Sequence, residues 1–177
     1  MHGLVSSLGA RLAVLVLAAA LLTGCGDDDG KKRKIRANET DMAFATDMID
    51  HHERGIDAAD LASTRAEDRV IRRSAQDLIQ LQSPEVQVLR AVRRFLSEGG
   101  VEEGDLGVPA TTLDATELRR ADDFDAAYAE AMIAHHEIAI HMAAVERRSG
   151  VHAELRRMAG DITDLARFQI RELERTR

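Results

Sequence analysis

The chain has 177 residues, enough for one domain of ordinary size, and its formal net charge of −7 argues against nucleic acid as a partner. Aromatic residues make up only 3% of the sequence, tryptophan is missing and cysteine occurs once, which excludes a disulfide within the chain. Ala, Leu, Ile, Val and Met must therefore build the core, and this composition favours helices over strands.

Residues 1–24 are predicted to be a signal peptide. Arg11 precedes an apolar run over residues 12–22, and small residues follow. The run is shorter than the roughly 20 apolar residues that a transmembrane helix needs. It ends in Leu22-Thr23-Gly24-Cys25, which resembles the lipobox of bacterial lipoproteins; the alternative is an ordinary secretory signal with a chance cysteine. We expect two acyl chains on Cys25 to anchor the protein stably in the cell membrane, on its extracytoplasmic face.

The lipidated cysteine and a charged tether are predicted to occupy residues 25–38. An acidic block at 27–29 and a basic block at 31–34 should remain solvated. The basic block could rest on anionic headgroups, although a plain spacer is the simpler interpretation. A folded domain over residues 39–177 follows.

Helical patterns account for most of this domain. The predicted helices run from about 39 to 63, from 67 to 96, from a start between 114 and 122 to about 149, and from 151 to the C-terminus. A loop rich in glycine over residues 99–109 separates the two halves. Pro84 is expected to kink the second helix or to split it, with Ser83 as a cap.

An internal repeat relates the two halves of the domain. A shift of 84 positions places the sequence Met-Ile-Asp-His-His-Glu at 48–53 onto Met-Ile-Ala-His-His-Glu at 132–137 without a gap. The halves, about 39–96 and 114–177, are therefore each one helical hairpin. Two such hairpins predict an all-α, ferritin-like four-helix bundle, because neither can bury its apolar face alone.

The repeated histidines lie on the inward side of their helices. At about 100° per residue, His51 and His52 flank the stripe that contains Met48. The second half repeats this arrangement and adds Met142, where the first half has Ala58. His141 points away from the stripe. The candidate metal ligands are Met48, His51, His52, Met132, His135, His136 and Met142.

Imidazole and thioether groups together indicate a soft metal ion. Thioethers select Cu(I) in particular, and Ag(I) has the same preferences, whereas the stripes offer few carboxylates for harder ions. A small residue one turn beyond the first histidine of each pair, Gly55 or Ala139, leaves room for an ion or for close helix packing. Two alternatives stay open: a hydrogen-bonded polar core without metal, and one shared site rather than two.

An enzyme is not expected. The di-iron carboxylate proteins use Glu-x-x-His motifs, and none occurs in the sequence. A zinc protease motif fails because position 140 is Ile. A metal-independent interaction or structural module of the cell envelope is the remaining alternative, and the sequence indicates no particular protein partner.

The repeated motif resembles the family called domain of unknown function 305. The pattern appears as Asp41, Phe44, Met48, Ile49, His51 and His52, and again as Asp125, Tyr128, Met132, Ile133, His135, His136, Met142 and Ala143. The resemblance covers roughly residues 40–177. It implies a ferritin-like four-helix bundle, often exported, with copper or silver binding in some members.

The resemblance also bears on function and on the choice between the halves. It supports the expectation of Cu(I) or Ag(I) binding for metal buffering or tolerance in the cell envelope. Ala58 and Pro84 depart from the family pattern, and both lie in the first half. The second-half residues, Met132, His135, His136 and Met142, are therefore expected to form the better site.

Overall fold

The computed structural model describes residues 36–177, so the predicted signal peptide, Cys25 and most of the charged tether lie outside the described residues. The described helices are α1 (Glu39–Arg65), α2 (Arg69–Glu98), α3 (Ala115–Leu118), α4 (Phe124–Ser149) and α5 (Ala153–Glu174). No strand occurs between residues 36 and 177, and no helix in that range is long and apolar enough to cross a membrane.

Short polar side chains fix where the long helices begin. A capping box opens α1: the Asn38 side chain accepts from the Asp41 N–H at 3.1 Å, and the Asp41 carboxylate accepts from the Asn38 N–H at 2.7 Å. Asp68 and Asp123 cap α2 and α4 by accepting from N–H groups of the first turn. Each such cap stabilises its helix by about 1 kcal/mol.

The long helices form the predicted four-helix bundle. α1 packs along α2, α4 packs along α5, and α1 and α4 pack against each other between the two hairpins. The connection between hairpins contains α3, which sequence periodicity did not predict because it is a single turn. Asp114 caps α3, and its last residue, Leu118, is buried in the core.

Pro84 does not divide the second helix. α2 continues from Arg69 to Glu98 with Pro84 inside it, so the expected split with Ser83 as a cap is wrong. Proline removes one backbone N–H from the helical ladder. The flanking residues Gln82 and Val86 are buried against the rest of the bundle, and this packing outweighs the local loss.

The core consists of two hydrophobic clusters, one toward each end of the α1–α4 interface. The first cluster takes residues 42–49 of α1 and 139–143 of α4, together with buried residues of α2 and α5. The second takes residues 58–66 of α1 and 124–132 of α4. Residues near the start of α1 share a cluster with residues near the end of α4, so the two helices run antiparallel. Both His-His pairs lie between the two clusters.

Two aspartates connect the hairpins by capping each other's turns. The Asp41 carboxylate accepts from the Val151 and His152 N–H groups, at 3.0 and 2.9 Å, in the turn between α4 and α5. The Asp125 carboxylate does the same for Glu67 and Asp68, at 3.0 and 2.6 Å, in the turn between α1 and α2. All these positions are related by the shift of 84, so the repeat is preserved in three dimensions.

Candidate metal centre

The four motif histidines converge on one buried cluster at the α1–α4 interface. His51, His52, His135 and His136 are all exposed by 3% or less. The rings of His51 and His135 stack, with centroids 3.7 Å apart and planes inclined by 9°. His52 and His136 lie beside them, with centroid distances of 6.2 and 5.8 Å to their chain neighbours. The structure thus brings the two His pairs together.

Burial keeps these imidazoles neutral. The pKa of His51 is lowered to about 3, mainly by burial and in smaller part by the neighbouring imidazoles of His52 and His136. The pKa of His136 falls to about 4 for the same reasons, burial first and then His52. Burial also holds the pKa of His135 well below its usual value. At neutral pH each of these three rings therefore keeps a lone pair, which a metal ligand requires.

Glu85 on α2 determines the tautomer of His52. Its Oε2 lies 3.0 Å from His52 Nε2. The carboxylate accepts in this contact, so Nε2 carries a proton; in the neutral ring, Nδ1 then carries the lone pair. His52 Nδ1 is buried and has no hydrogen-bond partner. The result is a fixed imidazole with a free lone pair inside the core.

The His51 side chain makes no hydrogen bond. Neither Nδ1 nor Nε2 has a partner, although both are buried. The lone pair of an imidazole lies in the plane of its ring, and the planes of His51 and His135 are nearly parallel. In this arrangement one ion cannot lie in both ring planes. An ion bound by His51 would therefore take its other ligands from residues other than His135.

His135 has polar neighbours on both sides of its ring. Its Nδ1 lies 3.1 Å from Thr111 Oγ1, which belongs to the connection between the hairpins. Its Nε2 has no hydrogen-bond partner and occupies the space beside Gly55: a Cβ placed on Gly55 would lie 2.8 Å from that nitrogen. The same Cβ would lie 3.1 Å from Gln82 Oε1, which is also buried without a partner. The room at Gly55 thus admits the opposite helix's imidazole.

The thioethers are distributed unevenly along the bundle. Met48 and Met142 are buried in the first hydrophobic cluster, whereas Met132 is buried in the second. Met132 and Met142, which the sequence assigned together to a second-half site, therefore lie on opposite sides of the histidine layer. Because α1 and α4 are antiparallel, Met142 shares a cluster with Met48 instead. Met42 is buried in that cluster too, and sequence reasoning overlooked it.

The donors available for a metal ion are therefore mixed. Between residues 36 and 177, no group of three or more His, Cys, Asp or Glu side chains is placed to hold a metal. A set built only of imidazole and carboxylate groups is not present in that range. The first cluster instead offers the thioethers of Met42, Met48 and Met142, and Met48 lies one helical turn before His52. Thioether and imidazole donors together form a set that fits Cu(I) or Ag(I). His141 is exposed, as its position on the helical wheel predicts.

A cavity of about 290 Å³ reaches the histidine cluster from outside. It lies between the connection that carries α3 and the side of α4, and His135 is among its lining residues. Thr111, Asp114 and Glu117 also line it. The acidic residues give this approach a negative charge that attracts cations.

Sequence reasoning missed the partners of the histidines. Glu85, Gln82 and Thr111 come from α2 and from the connection between the hairpins, far from the motifs along the chain. One signal was available for Glu85, because the shift of 84 places it on Gln169, a position where the repeat changes charge. Nothing in the sequence singled out Thr111.

Solved structures share this fold. CopM in the Cu(I)-bound form is 25% identical, with a TM-score of 0.67 over 76% of this chain and 93% of that chain. CopM in the Ag-bound form, obtained by soaking, is 25% identical, with a TM-score of 0.65 over 76% and 92%. A DUF305 fragment from Deinococcus radiodurans, at 22% identity and a TM-score of 0.65 over 80% and 97%, shows the fold alone. Among curated protein sequences, none matches.

The family comparison covers both histidine pairs. The family model described as Domain of unknown function (DUF305) matches residues 41–177, which is almost the whole of the bundle. The match includes both halves of the repeat and both aspartates that cap the opposite turns. The chain therefore belongs to the DUF305 family.

Proposed function

We propose that this protein is exported, anchored in the cell membrane through a lipid on Cys25, and binds Cu(I) or Ag(I) to buffer the ion in the cell envelope. The observation that carries the proposal is the set of buried imidazole nitrogens without partners, both of His51 and Nδ1 of His52. An unsatisfied buried polar atom costs about 1–3 kcal/mol. A bound ion would take up a lone pair from each ring and offset part of that cost.

The donor set favours a soft monovalent ion. Met48 precedes His52 by one helical turn, so a thioether and an imidazole are neighbours. Hard divalent ions need several oxygen ligands, which this core does not supply between residues 36 and 177. A single positive charge also costs less to bury than a double one. The Cu(I)-bound and Ag-bound structures of CopM support the same class of ion.

Competition between the protein and a Cu(I) chelator, under anaerobic conditions, tests the binding. The parent should bind Cu(I) more tightly than His51→Ala/His52→Ala, and His141→Ala should equal the parent because His141 is exposed. The pair His135→Ala/His136→Ala shows whether the second half contributes. If the parent binds no Cu(I) or Ag(I) above the chelator background, the metal proposal is wrong.

A separate measurement tests the anchor. In cells that process lipoproteins, the parent should incorporate a labelled fatty acid and remain with the membrane fraction. Cys25→Ser should lose both the label and the membrane association. Label-free parent protein in the medium would indicate an ordinary secretory signal instead.

The metal-independent alternative keeps one structural argument. The stacking of His51 on His135, at 3.7 Å, fills the centre of the interface as packed core residues do. A module of this kind would bind no soft metal, and replacing its histidines would change only its stability. The same chelator competition separates the two functions.

A further inference from the structure

The two hairpins differ in charge at the position that, in the first hairpin, faces the second histidine of the His pair. In the first hairpin, Glu85 contacts His52 Nε2 at 3.0 Å. The shift of 84 places Gln169 at the position of Glu85 and His136 at that of His52. Gln169 is buried and neutral, whereas Glu85 carries a carboxylate whose side chain is 28% exposed. The repeat has thus diverged at the one position that supplies a negative charge to this cluster through a hydrogen bond.

We propose that Glu85 is a positioning residue that makes the first hairpin the metal-binding half. It holds His52 as the Nε2–H tautomer and keeps the Nδ1 lone pair directed into the core, where it has no other partner. This inference rests on the proposed function for its consequence, metal binding, but its structural premise concerns the protein without metal. It reverses the sequence-based expectation that the second half forms the better site.

Electrostatics explain why the charge matters. A cation in a buried cluster of neutral imidazoles has no compensating negative charge, and burying it alone is costly. Glu85 supplies one negative charge through the ring of His52, so the ion, the imidazole and the carboxylate form a chain. Gln169 cannot do this. Residues in such an outer position commonly change metal affinity 10–100-fold when they are replaced.

The thioether distribution favours the end of the bundle on which Met48 lies, to which the second hairpin contributes Met142. Met48 lies one turn before His52, and Met142 and Met42 are buried in the same hydrophobic cluster as Met48. Met132 is in the second cluster, where the position equivalent to Met142 is occupied by Ala58. Soft donors and the compensating carboxylate are therefore on the same side of the histidine layer.

A pair of exchange variants tests the proposal in the complete protein. Glu85→Gln gives the first hairpin the side chain of the second, and Gln169→Glu does the converse. The first readout is the ¹⁵N spectrum of the histidine side chains without metal, which distinguishes the two tautomers of neutral imidazole. The second readout is Cu(I) affinity by chelator competition.

Glu85→Gln should alter the His52 nitrogen signals and lower the Cu(I) affinity about 10–100-fold. Gln169→Glu should shift the His136 signals and raise the Cu(I) affinity or stoichiometry. Unchanged His52 signals in Glu85→Gln would overturn the positioning role, whatever the metal does. If the His52 signals change but the Cu(I) affinity does not, Glu85 orients His52 without affecting metal binding, and the metal-binding part of the proposal is overturned.

The outcomes also separate this inference from the proposed function. If the parent binds no Cu(I), the proposed function fails, while the metal-free spectra still decide whether Glu85 sets the tautomer. If the parent binds Cu(I) and the exchange variants do not alter the affinity, only the assignment to the first hairpin fails. Should Glu85→Gln not fold, Glu85→Asp replaces it, because its shorter side chain withdraws the carboxylate from His52 Nε2: unchanged His52 signals and Cu(I) affinity in that variant would overturn the proposal.

Discussion

Glu146 on α4 offers a test of the structure that does not involve metal. Its side chain is completely buried, and neither carboxylate oxygen has a hydrogen-bond partner. The pKa of Glu146 is raised to about 8, mainly by burial and in smaller part by the neighbouring Asp41, while Arg156 opposes the rise. The space beside Gly150 is filled by the Glu146 carboxyl, which a Cβ at that position would overlap. Glu146 is thus a neutral acid below about pH 8.

The sign of the effect on stability follows from proton binding. The folded state keeps the Glu146 proton up to about pH 8, whereas the unfolded chain releases it near its usual pKa. The contribution of Glu146 to the free energy of unfolding is therefore fully present at low pH, and it is lost as the pH rises through 8. One pKa unit corresponds to about 1.4 kcal/mol, so after a discount for solvent screening we expect the shift of Glu146 to contribute on the order of 3 kcal/mol.

The assay compares urea unfolding of the parent and of Glu146→Gln from pH 5 to pH 9. Glutamine does not titrate, so the parent should lose about 3 kcal/mol relative to the variant across this range. The histidines titrate equally in both proteins and cancel in the difference. Glu146→Ala is a second variant, because Ala62 occupies the equivalent position in the first half. A difference in free energy that stays constant with pH would refute the raised pKa of Glu146.

Three further predictions concern other parts of the bundle. Asp125→Ala should lower the free energy of unfolding by about 2 kcal/mol, because it leaves backbone N–H groups of the α1–α2 turn without their acceptor. Urea unfolding measures this loss, and a value below about 0.5 kcal/mol would contradict the cap. Gly55→Ala should displace the His135 ring, which would otherwise lie 2.8 Å from the new Cβ. The substitution should lower the free energy of unfolding by about 1–3 kcal/mol, although alanine has the better helix propensity. The side-chain NMR signals of His135 report the displacement, and unchanged signals would argue against the close approach. Acid should unfold the protein as the pH falls from the usual histidine range toward 3. The folded pKa of His51 is about 3, so over this range the unfolded chain binds a proton at His51 that the folded protein does not. Circular dichroism follows this transition, and replacement of His51 by Gln should make it shallower.

Much of the fold could be predicted because its signals are local or repeated. Helical periodicity and the shift of 84 located both hairpins, and the observed α1 and α2 differ from the predicted ends by only about two residues, the usual uncertainty of helix ends. α3 was missed since four residues carry no periodicity. Of the two outcomes expected at Pro84, the split was wrong, because burial of Gln82 and Val86, which keeps α2 continuous, is a property of the assembled bundle.

The site was predictable only in part for a related reason. The helical wheel correctly placed the histidines on the inward side of their helices. It could not show that α1 and α4 run antiparallel. That direction brings Met48 into the cluster of Met142 and separates Met142 from Met132. Contacts such as Glu85 with His52 join residues from different helices, and a single sequence contains no information that pairs them.

The exchanged caps of Asp41 and Asp125 have a consequence for the ancestry of the fold. Each hairpin carries both a carboxylate and the turn that such a carboxylate caps, but it satisfies the turn of the other hairpin. This is the reciprocity of an isologous two-fold dimer, in which the same patch serves both partners. A single ancestral hairpin would have been self-complementary, and joining two copies turned a subunit interface into the interior of one polypeptide. Within one polypeptide the two copies need not be identical, and they differ at Glu85 and Gln169 and at Ala58 and Met142.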